Sequence, residues 1–468
     1  MTSPVCQCWS NRAKKKLVES LAHLNEIGSL VAPDENDLTA IGKAIEELSD
    51  RELFADTMRG QLIAAKHQLE VLARTYDVVV ANPPYMGSSR FNPFMSKWIK
   101  ANYPDEKGDL CFAFINRICE MKNPDGEVGI TATNSWMFLS SSEASRLKVL
   151  ASNEISSLVQ LSVHGYKGIA AQVFAFTLID KQPGGYKGGY IRLNDFDHHS
   201  LQESKTLEAI QNPDCGWFYR ADASTFHDIP GSPIAYWASE AMLSAFANFT
   251  PLSSVADAKQ GLATGNNKRF VRLWWENPLS HSAFGATSRE RAISSGARWF
   301  PLAKGGEYRK WYGNLLHMVD WFEDGKAMKD GILKKYPYLS TPDFVVKNQQ
   351  YYFREGITWS AVSSSFIHLR YLPQGCIFDH SGDCVFSDCI DLESAQALLN
   401  SSVGAAFLSI LAPTLSFDVG PIGKVPFKKT DENAREAINA IVKQLRVLSR
   451  TDWDTQETSW GFKRNSLL

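Results

Sequence analysis

Hydrophobic positions in the first 75 residues recur at the spacing of a helix. Residues 10–75 are predicted to be helical, with a second helical stretch from about 37 to 74. The first helix carries apolar side chains at a period near 3.6, at Leu17, Leu21, Leu24 and Ile27. Residues 76–81 are apolar and β-branched instead, which predicts a short buried strand.

Short strands and helices alternate from residue 107 onward. The predicted elements are a helix capped by Asp109 that reaches about residue 121, a turn at 124–126, a strand at 127–133, a helix from Ser141 or Ser142 to about 151, and strands at 155–162, 172–179 and 190–193. This alternation is typical of a doubly wound α/β sheet. Only a second half is recognisable, because no strand before residue 82 leads into a Gly-rich turn and a helix, the arrangement that binds nucleotide-like cofactors.

Residues 252–427 have a different character. They are rich in Trp, Tyr, Gly and short strands, and basic and aromatic residues interleave in 268–275, 298–300 and 308–312. Helices at about 392–411 and 432–450 are predicted to close the chain. The expected fold class is therefore α/β: the C-terminal half of a doubly wound, Rossmann-like sheet followed by a mixed α+β domain.

Composition narrows the possible environments and partners. The 468 residues allow two or three domains. No apolar stretch approaches the roughly 18 residues of a membrane span, and the N-terminus has no basic and apolar segments of a secretion signal, so a cytoplasmic location is expected. A net charge of −2 argues mildly against a uniformly basic, nucleic-acid-binding surface, although a local basic cleft needs only a few Lys and Arg residues.

Cysteine spacing favours reduced thiols over a metal site. The eight cysteines are scattered, as in a cytosolic protein. Cys376, His380, Cys384 and Cys389 lie close enough in sequence to suggest zinc, but their spacings match no usual zinc pattern. Alternation around Cys376 and Cys384 instead predicts two strands joined by a turn at 380–383, and no metal.

The most informative motif follows the strand at 76–81 and consists of Asn82, Pro83, Pro84 and Tyr85. Two prolines end the strand and stiffen the loop, which lies where open α/β sheets place their ligands. The Asn amide oxygen and a proline carbonyl are two fixed acceptors, and Tyr85 supplies a flat face. This combination suits methylation of a planar amino group, since two acceptors on its hydrogens favour the reactive, pyramidal nitrogen. A base within a duplex reaches such a loop only after it flips out.

With these motifs in order, the chain resembles the γ-type amino-methyltransferases that act on adenine N6 in DNA. Residues 82–85 match their catalytic loop, and 108–112, 129–131 and 172–175 follow in family order. Later blocks resemble their target-recognition domain, at 260–270, 298–301, 353–360, 398–402, 413–417 and 420–426. Within that group the chain is most similar to the PglX-type methyltransferases of BREX phage-defence systems, over most of residues 70–430.

The resemblance implies roles for further residues, each with a plainer alternative. Asp109 and Phe112 are expected near the cofactor, S-adenosylmethionine, although a helix cap is the commoner role for an Asp at this position and Phe112 fits the core. Tyr166 is expected to stack on the flipped base, or is an ordinary loop aromatic. Lys268, Arg269 and Arg272 are expected to reach DNA phosphates, or are simply solvated. Together with Arg298 they form the basic cluster expected to face DNA, where a given residue contacts a phosphate or reads a base. Trp274 and Trp275 are predicted to be core residues.

The resemblance also implies a domain order and a departure from the family. The expected parts are a helical segment (1–75), a partial catalytic domain (76–200), a helical connector (201–250), a DNA target-recognition domain (251–430) and a C-terminal helix and tail (431–468). The family's Gly-rich cofactor loop and acidic ribose ligand have no counterpart here, so the chain is expected to be the C-terminal portion of a longer or split protein.

Two functions follow from these expectations. The first is a site-specific DNA adenine-N6 methyltransferase of a phage-defence or restriction-modification system. Its partners would be double-stranded DNA, an upstream chain with the cofactor-binding half, and other defence subunits, with no membrane. The alternative is a non-enzymatic DNA-recognition or assembly subunit. A third interpretation, methylation of a protein glutamine by the same loop, is disfavoured by the large aromatic and basic C-terminal region.

Overall fold

The structure is a computed structural model that describes residues 21–48, 55–165, 172–363, 367–413 and 416–464. The chain divides into two compact units, Met1–Trp237 and Ala238–Leu468. The α/β class predicted from the sequence is confirmed, while the finer division into five parts remains a prediction.

The first unit begins with helices. They are α1 (Leu24–Ile27), α2 (Glu35–Glu46) and α3 (Ala55–Ala73). The single stretch predicted at 37–74 is thus two helices, and α2 begins earlier because Asp34 caps it: its carboxylate accepts the N–H of Asp37 at 2.8 Å. Apolar side chains from these helices share one buried cluster with α4 (Pro93–Asn102).

A six-stranded sheet forms the centre of this unit. Its strands are β1 (Tyr76–Ala81), β2 (Lys122–Thr133), β3 (Asn153–Gln160), β4 (Val173–Asp180), β5 (Lys187–Arg192) and β6 (Phe218–Asp222), in the order β1–β2–β4–β3–β5–β6. Strands β1, β2, β3 and β5 run parallel, and β4 and β6 run against them. The carboxyl ends of the four parallel strands therefore meet at one edge of the sheet.

One face of this sheet carries the main core of the unit. It packs against α5 (Leu110–Glu120), α6 (Ser135–Phe138) and α7 (Glu143–Ser152), while α8 (His199–Gln211) follows β5 in the chain. The predicted turn at 124–126 lies inside β2, where Asp125 adopts a positive φ of 64°.

The opposite face is open at β1, so the prediction of a buried strand is wrong for this face. Val79 is 9% exposed, but Val78 and Val80 are 64% and 77% exposed. Their neighbours on β2 are Glu127 and Gly129, which add little cover. The reason is position: β1 is the edge strand of the sheet, and the described residues place a packing layer on only one of its faces.

The second unit contains three small sheets. Their strands are β7 (Thr250–Pro251), β8 (Asp257–Lys259), β9 (Val271–Leu273), β10 (Trp299–Ala303), β11 (His317–Asp320), β12 (Gly356–Trp359), β13 (Leu369–Leu372), β14 (Ile377–Phe378), β15 (Cys384–Phe386) and β16 (Pro426–Phe427). They pair in the orders β14–β10–β11–β9, β13–β12–β15–β8 and β16–β7.

The helices of this unit lie around one large buried cluster that is rich in aromatic side chains. They are α9 (Glu240–Asn248), α10 (Asn267–Phe270), α11 (Arg289–Ser294), α12 (Phe322–Lys335), α13 (Leu392–Asn400), α14 (Ser402–Leu411), α15 (Val419–Gly423) and α16 (Glu432–Trp453).

The two strands and the turn predicted around residues 376–387 are present, but the strands do not pair with each other as a hairpin. Strand β14 pairs in parallel with β10, whereas β15 pairs with β12 and β8 in a different sheet. The connecting residues cross between the sheets because they bond to other segments: the Asp379 N–H donates to Ala303 O, and the His380 N–H donates to Leu262 O, each at 3.0 Å. Among the described residues, no group of three or more His, Cys, Asp or Glu is arranged to hold a metal ion.

The single helix predicted at 392–411 is also wrong. It breaks at Ser401, whose hydroxyl accepts the N–H of Gly404 at 3.0 Å and so caps α14. Helices α13 and α14 meet at 73°, and this bent pair is the one segment with the length and apolar character of a membrane span; in the described ranges no single helix has both.

Asp109 caps α5 as predicted: its Oδ1 accepts the N–H of Cys111 at 3.0 Å. Asp109→Ala is expected to lower the free energy of unfolding by about 1 kcal/mol, the typical contribution of a helix N-cap, whereas Asp109→Asn keeps an acceptor and most of that stability. Urea unfolding followed by circular dichroism measures both, with Asp105→Ala as an exposed acidic control. Equal losses for Ala and Asn would contradict a capping role.

Candidate active site

The Asn-Pro-Pro-Tyr loop leaves the sheet at the carboxyl end of β1. Asn82 and Pro84 are exposed, Pro83 is buried, and Tyr85 is half-buried against the edge of the main core. The burial of Pro83 between two exposed neighbours fixes the loop to the sheet, while the amide of Asn82 faces solvent. A stiff loop thus presents one polar side chain and one aromatic ring at the ligand-binding edge of the sheet.

Backbone hydrogen bonds fasten the loop to the first turn of α5. The N–H of Leu110 donates to Met86 O at 3.0 Å, and the N–H of Ser88 donates to Gly108 O at 2.9 Å. Gly87 and Asp109 form a bridge between these two bonds. The loop is held by main-chain contacts on the side away from β1, so its position does not depend on the side chains that would meet a substrate.

The side chain of Asn82 has a defined hydrogen-bond partner. Its Oδ1 accepts a hydrogen bond from the hydroxyl of Thr131 on β2 at 2.6 Å. The two residues are adjacent because Ala81 pairs with Ile130 in the parallel ladder. Sequence reasoning missed Thr131, since the contact joins residues 49 positions apart and depends on the strand register.

A chain of amide hydrogen bonds continues along the same edge of the sheet. Gln160 donates to Asn134, Asn134 donates to Gln172, and Gln172 donates to Asn194, each at 2.9 Å. The buried phenol of Tyr236 donates to Gln160 at 2.6 Å, and burial raises its pKa well above 10, so it stays a neutral donor. The sequence gives one faint signal for this network: polar residues flank the strand ends at this edge.

The two predicted cofactor residues, Asp109 and Phe112, differ in their burial and contacts. One oxygen of Asp109 is already used in capping α5, and Asp109 is only half-buried. Phe112 is 3% exposed and packs within the main core, as its plainer interpretation expects. The described part of the chain upstream of β1 contains no strand and no Gly-rich turn. These residues do not form a complete binding site for S-adenosylmethionine and would line only one side of it.

The second unit carries the predicted DNA-contacting cations. Lys268 and Arg269 are exposed on α10, and Arg269 lies over the ring of Phe270 at 4.8 Å. The guanidinium of Arg272 instead donates to the carbonyl oxygens of Lys268 and Val271, at 2.6 and 2.7 Å. The structure therefore groups Lys268, Arg269 and Arg272 on one short segment.

Arg298 and the two tryptophans also belong to this unit. Arg298 pairs with Asp320 at 2.8 Å while its side chain stays 57% exposed. The prediction that both tryptophans are core residues is wrong for Trp275, which is 45% exposed on a surface turn after β9; Trp274 is half-buried and donates its indole N–H to Thr458 O at 2.7 Å. Tyr166 lies outside the described residues.

Comparison with known proteins finds a methylase family and two similar adenine-specific methyltransferases. Residues 9–166 match the Eco57I restriction-modification methylase family. The chain is 34% identical over 460 residues to the adenine-specific methyltransferase PglX of Lacticaseibacillus casei (strain Zhang), covering 95% of this chain and 37% of that protein. It is 31% identical over 453 residues to the adenine-specific methyltransferase BrxX of Escherichia coli O9:H4 (strain HS), covering 94% and 35%.

The fold is shared with a solved restriction-modification enzyme. The Type IIL enzyme MmeI, determined in complex with DNA, matches 84% of this chain and 51% of its own with a TM-score of 0.56 at 11% identity. The chain spans little more than a third of each of the two curated relatives. Aligned over nearly all of its length, it is a homologue of part of the PglX-type adenine-specific methyltransferases, as its motifs predict.

Proposed function

We propose that this chain is the base-binding and DNA-recognition portion of a site-specific DNA adenine-N6 methyltransferase of a phage-defence or restriction-modification system. The observation that carries the proposal is the Asn82 loop, which ends an edge strand, is fastened to α5 and presents its amide to solvent. The relatives named as adenine-specific methyltransferases support the choice of substrate.

The loop supplies groups that suit an exocyclic amino group. Asn82 Oδ1 and the carbonyl oxygen of Pro83 are acceptors for its two hydrogens. Gripping both hydrogens favours a pyramidal nitrogen with an available lone pair, and the ring of Tyr85 limits the movement of a stacked base. The adenine must leave the duplex to reach this loop, because its amino group is otherwise paired within the helix.

The methyl donor in this proposal is S-adenosylmethionine, and residues outside this chain complete its binding site. Two features of the described residues support that assignment. The free edge of β1 is available to pair with a further strand, and the exposed Val78 and Val80 offer an apolar surface beside it. A second protein segment that extends the sheet would cover both and bring the cofactor next to Asn82. It would belong to the same polypeptide or to a separate chain.

The second unit serves as the DNA-recognition part. Lys268 and Arg269 are exposed and have no acidic partner within 4.0 Å in the described ranges, so they are available for phosphates. Arg298 is held by Asp320 with more than half of its side chain accessible, an arrangement that suits directional contact with a base. Other subunits of the defence system would bind as further partners.

One observation favours a second candidate function. Because the described residues form only one wall of a cofactor site, the chain alone would act as a non-enzymatic DNA-recognition or assembly subunit. The two candidates differ in whether a cofactor-completed assembly that contains this chain transfers a methyl group to DNA.

The chain by itself is expected to bind S-adenosylmethionine weakly, because the nucleoside-binding half of the site is not among its described residues. Isothermal titration calorimetry of the purified chain measures this directly. The full-length PglX relative from Lacticaseibacillus casei serves as the positive control under the same conditions. A micromolar dissociation constant for the chain alone would show that the assignment of an external cofactor half is wrong.

Asn82→Ala is expected to slow methyl transfer about a hundredfold or more, because it removes an acceptor used in the transition state. DNA affinity should be nearly unchanged, since phosphate contacts elsewhere dominate binding. Transfer of a labelled methyl group to duplex DNA by the cofactor-completed assembly measures the effect. The control is Asn102→Ala, since the side chain of Asn102 donates to Trp98 O of its own helix at 2.8 Å and, within the described ranges, has no other hydrogen-bond partner. Near-normal transfer by the Asn82 variant would exclude the proposed role.

Lys268→Ala and Arg269→Ala are expected to weaken binding to all DNA sequences and to flatten the salt dependence of binding by about one unit each. Arg298→Ala is expected to cost about 1–3 kcal/mol at one position of the recognition site. Salt titrations of binding to cognate and substituted duplexes separate these effects. Lys443→Ala, an exposed lysine on α16, is the matched control. Wild-type binding by all three variants would contradict the assignment of this surface.

A further inference from the structure

We propose that Thr131 is a positioning residue that sets the orientation of the Asn82 amide, an inference that rests on the function proposed above. Its Oγ1 lies 2.6 Å from Asn82 Oδ1 and donates a hydrogen bond to it. The bond joins the end of β1 to β2, so the loop that binds the substrate is oriented by a residue in the body of the sheet.

The strand register places the two side chains together. Ala81 pairs with Ile130, and the next residue of each strand brings Asn82 beside Thr131. Thr131 is half-buried on the open face of the sheet, the face that also carries Val80. Among the described residues its hydroxyl has no hydrogen-bond partner other than Asn82, so the hydroxyl is not needed to satisfy the backbone or the core.

An exposed asparagine needs such a partner to present a defined face. The terminal torsion of Asn has broad, two-fold preferences, so an unrestrained amide exchanges its oxygen and NH₂ group at a given position. An amino group of a base donates hydrogen bonds, and it is bound only when the oxygen faces it. A donor at Thr131 selects the orientation in which Oδ1 lies on the side of β2.

The bond leaves the catalytic capacity of the oxygen intact. An amide oxygen has two lone pairs, and Thr131 occupies one of them. The second remains available for an N–H of the substrate. Loss of one neutral hydrogen bond shifts the balance between the two amide orientations by about 3- to 10-fold, which sets the size of the expected kinetic effect.

The test compares Thr131→Val with Thr131→Ser. Valine keeps the branched shape and the strand preference of threonine but lacks the hydroxyl, whereas serine keeps the hydroxyl. Thr177→Val is the matched control, because Thr177 is on the neighbouring strand β4 and its hydroxyl contacts Ser157 at 2.7 Å, not Asn82. Single-turnover methyl transfer at saturating DNA and cofactor is expected to slow by about 3- to 10-fold in Thr131→Val, with unchanged KM for DNA. Thr131→Ser and Thr177→Val should remain within about twofold of the wild type.

A second measurement does not depend on methyl transfer. In the deuterated full chain labelled with ¹⁵N-asparagine, the side-chain NH₂ signals of Asn82 are identified by their loss in Asn82→Asp. They are expected to shift and broaden in Thr131→Val and to keep their wild-type positions in Thr131→Ser and Thr177→Val. A purely structural role of Thr131 would disturb many asparagine signals together.

The outcomes separate this inference from the proposed function. If the wild type transfers methyl groups and Thr131→Val is as fast, the inference is overturned and the proposed function stands. If the wild type transfers none in the cofactor-completed assembly, the proposed function is overturned. The NMR comparison then decides on the Thr131 contact: unchanged Asn82 signals in Thr131→Val refute it, and selective changes support it.

Discussion

The hydrogen bonds between the Asn-Pro-Pro-Tyr loop and the first turn of α5 are the constraint on which the rest of the candidate site depends. They fix the main chain at Met86 and Ser88, so that the residues before them have little freedom. On the other side, β1 pairs with β2 and brings Asn82 next to Thr131. With both ends held, the exposed residues of the loop keep one arrangement. In the proposed function, an amino group that enters the site would therefore meet acceptors already in place.

A second constraint is that helices cover one face of the sheet but leave the other face exposed at β1. One face buries a large core against helices, whereas Val78 and Val80 at the edge strand remain accessible. An edge strand with unpaired backbone groups and exposed apolar side chains promotes aggregation of an isolated protein, and it is able to pair with a further strand. Asn82 directly follows this edge strand. In the proposed function, the segment that extends the sheet also completes the cofactor site. This explains how the loop can act in a chain whose described residues do not form a complete cofactor site.

Local sequence signals predicted the elements well and their environment less well. The proline pair ends β1, and Asp109 caps α5, because both effects act within a few residues. By contrast, the apolar run at 76–81 does not reveal that β1 is an edge strand, since burial depends on neighbours supplied by other segments. The helix predicted at 392–411 breaks at Ser401 because a side-chain cap competes with helix continuation, a choice that hydrophobic spacing does not show.

The polar residues of the site could not be predicted from the sequence, for a related reason. The amide network links Asn134, Gln160, Gln172 and Asn194, residues that are separated by up to 60 positions and meet only when four strands adopt the observed order. In sequence each is an ordinary polar residue beside a strand.

Charge pairing shows why overall composition says little about the proposed DNA-binding surface. In the second unit, many cations are neutralised by nearby carboxylates, as in the pairs Arg298–Asp320 and Lys304–Asp379. Such pairs contribute nothing to net charge, yet a partly exposed guanidinium remains a directional donor. Lys268 and Arg269 lie on the same short segment, and neither forms an ion pair with any residue that the structure describes. A chain with a net charge of −2 can therefore present a local positive surface, because net charge does not report how charges are distributed.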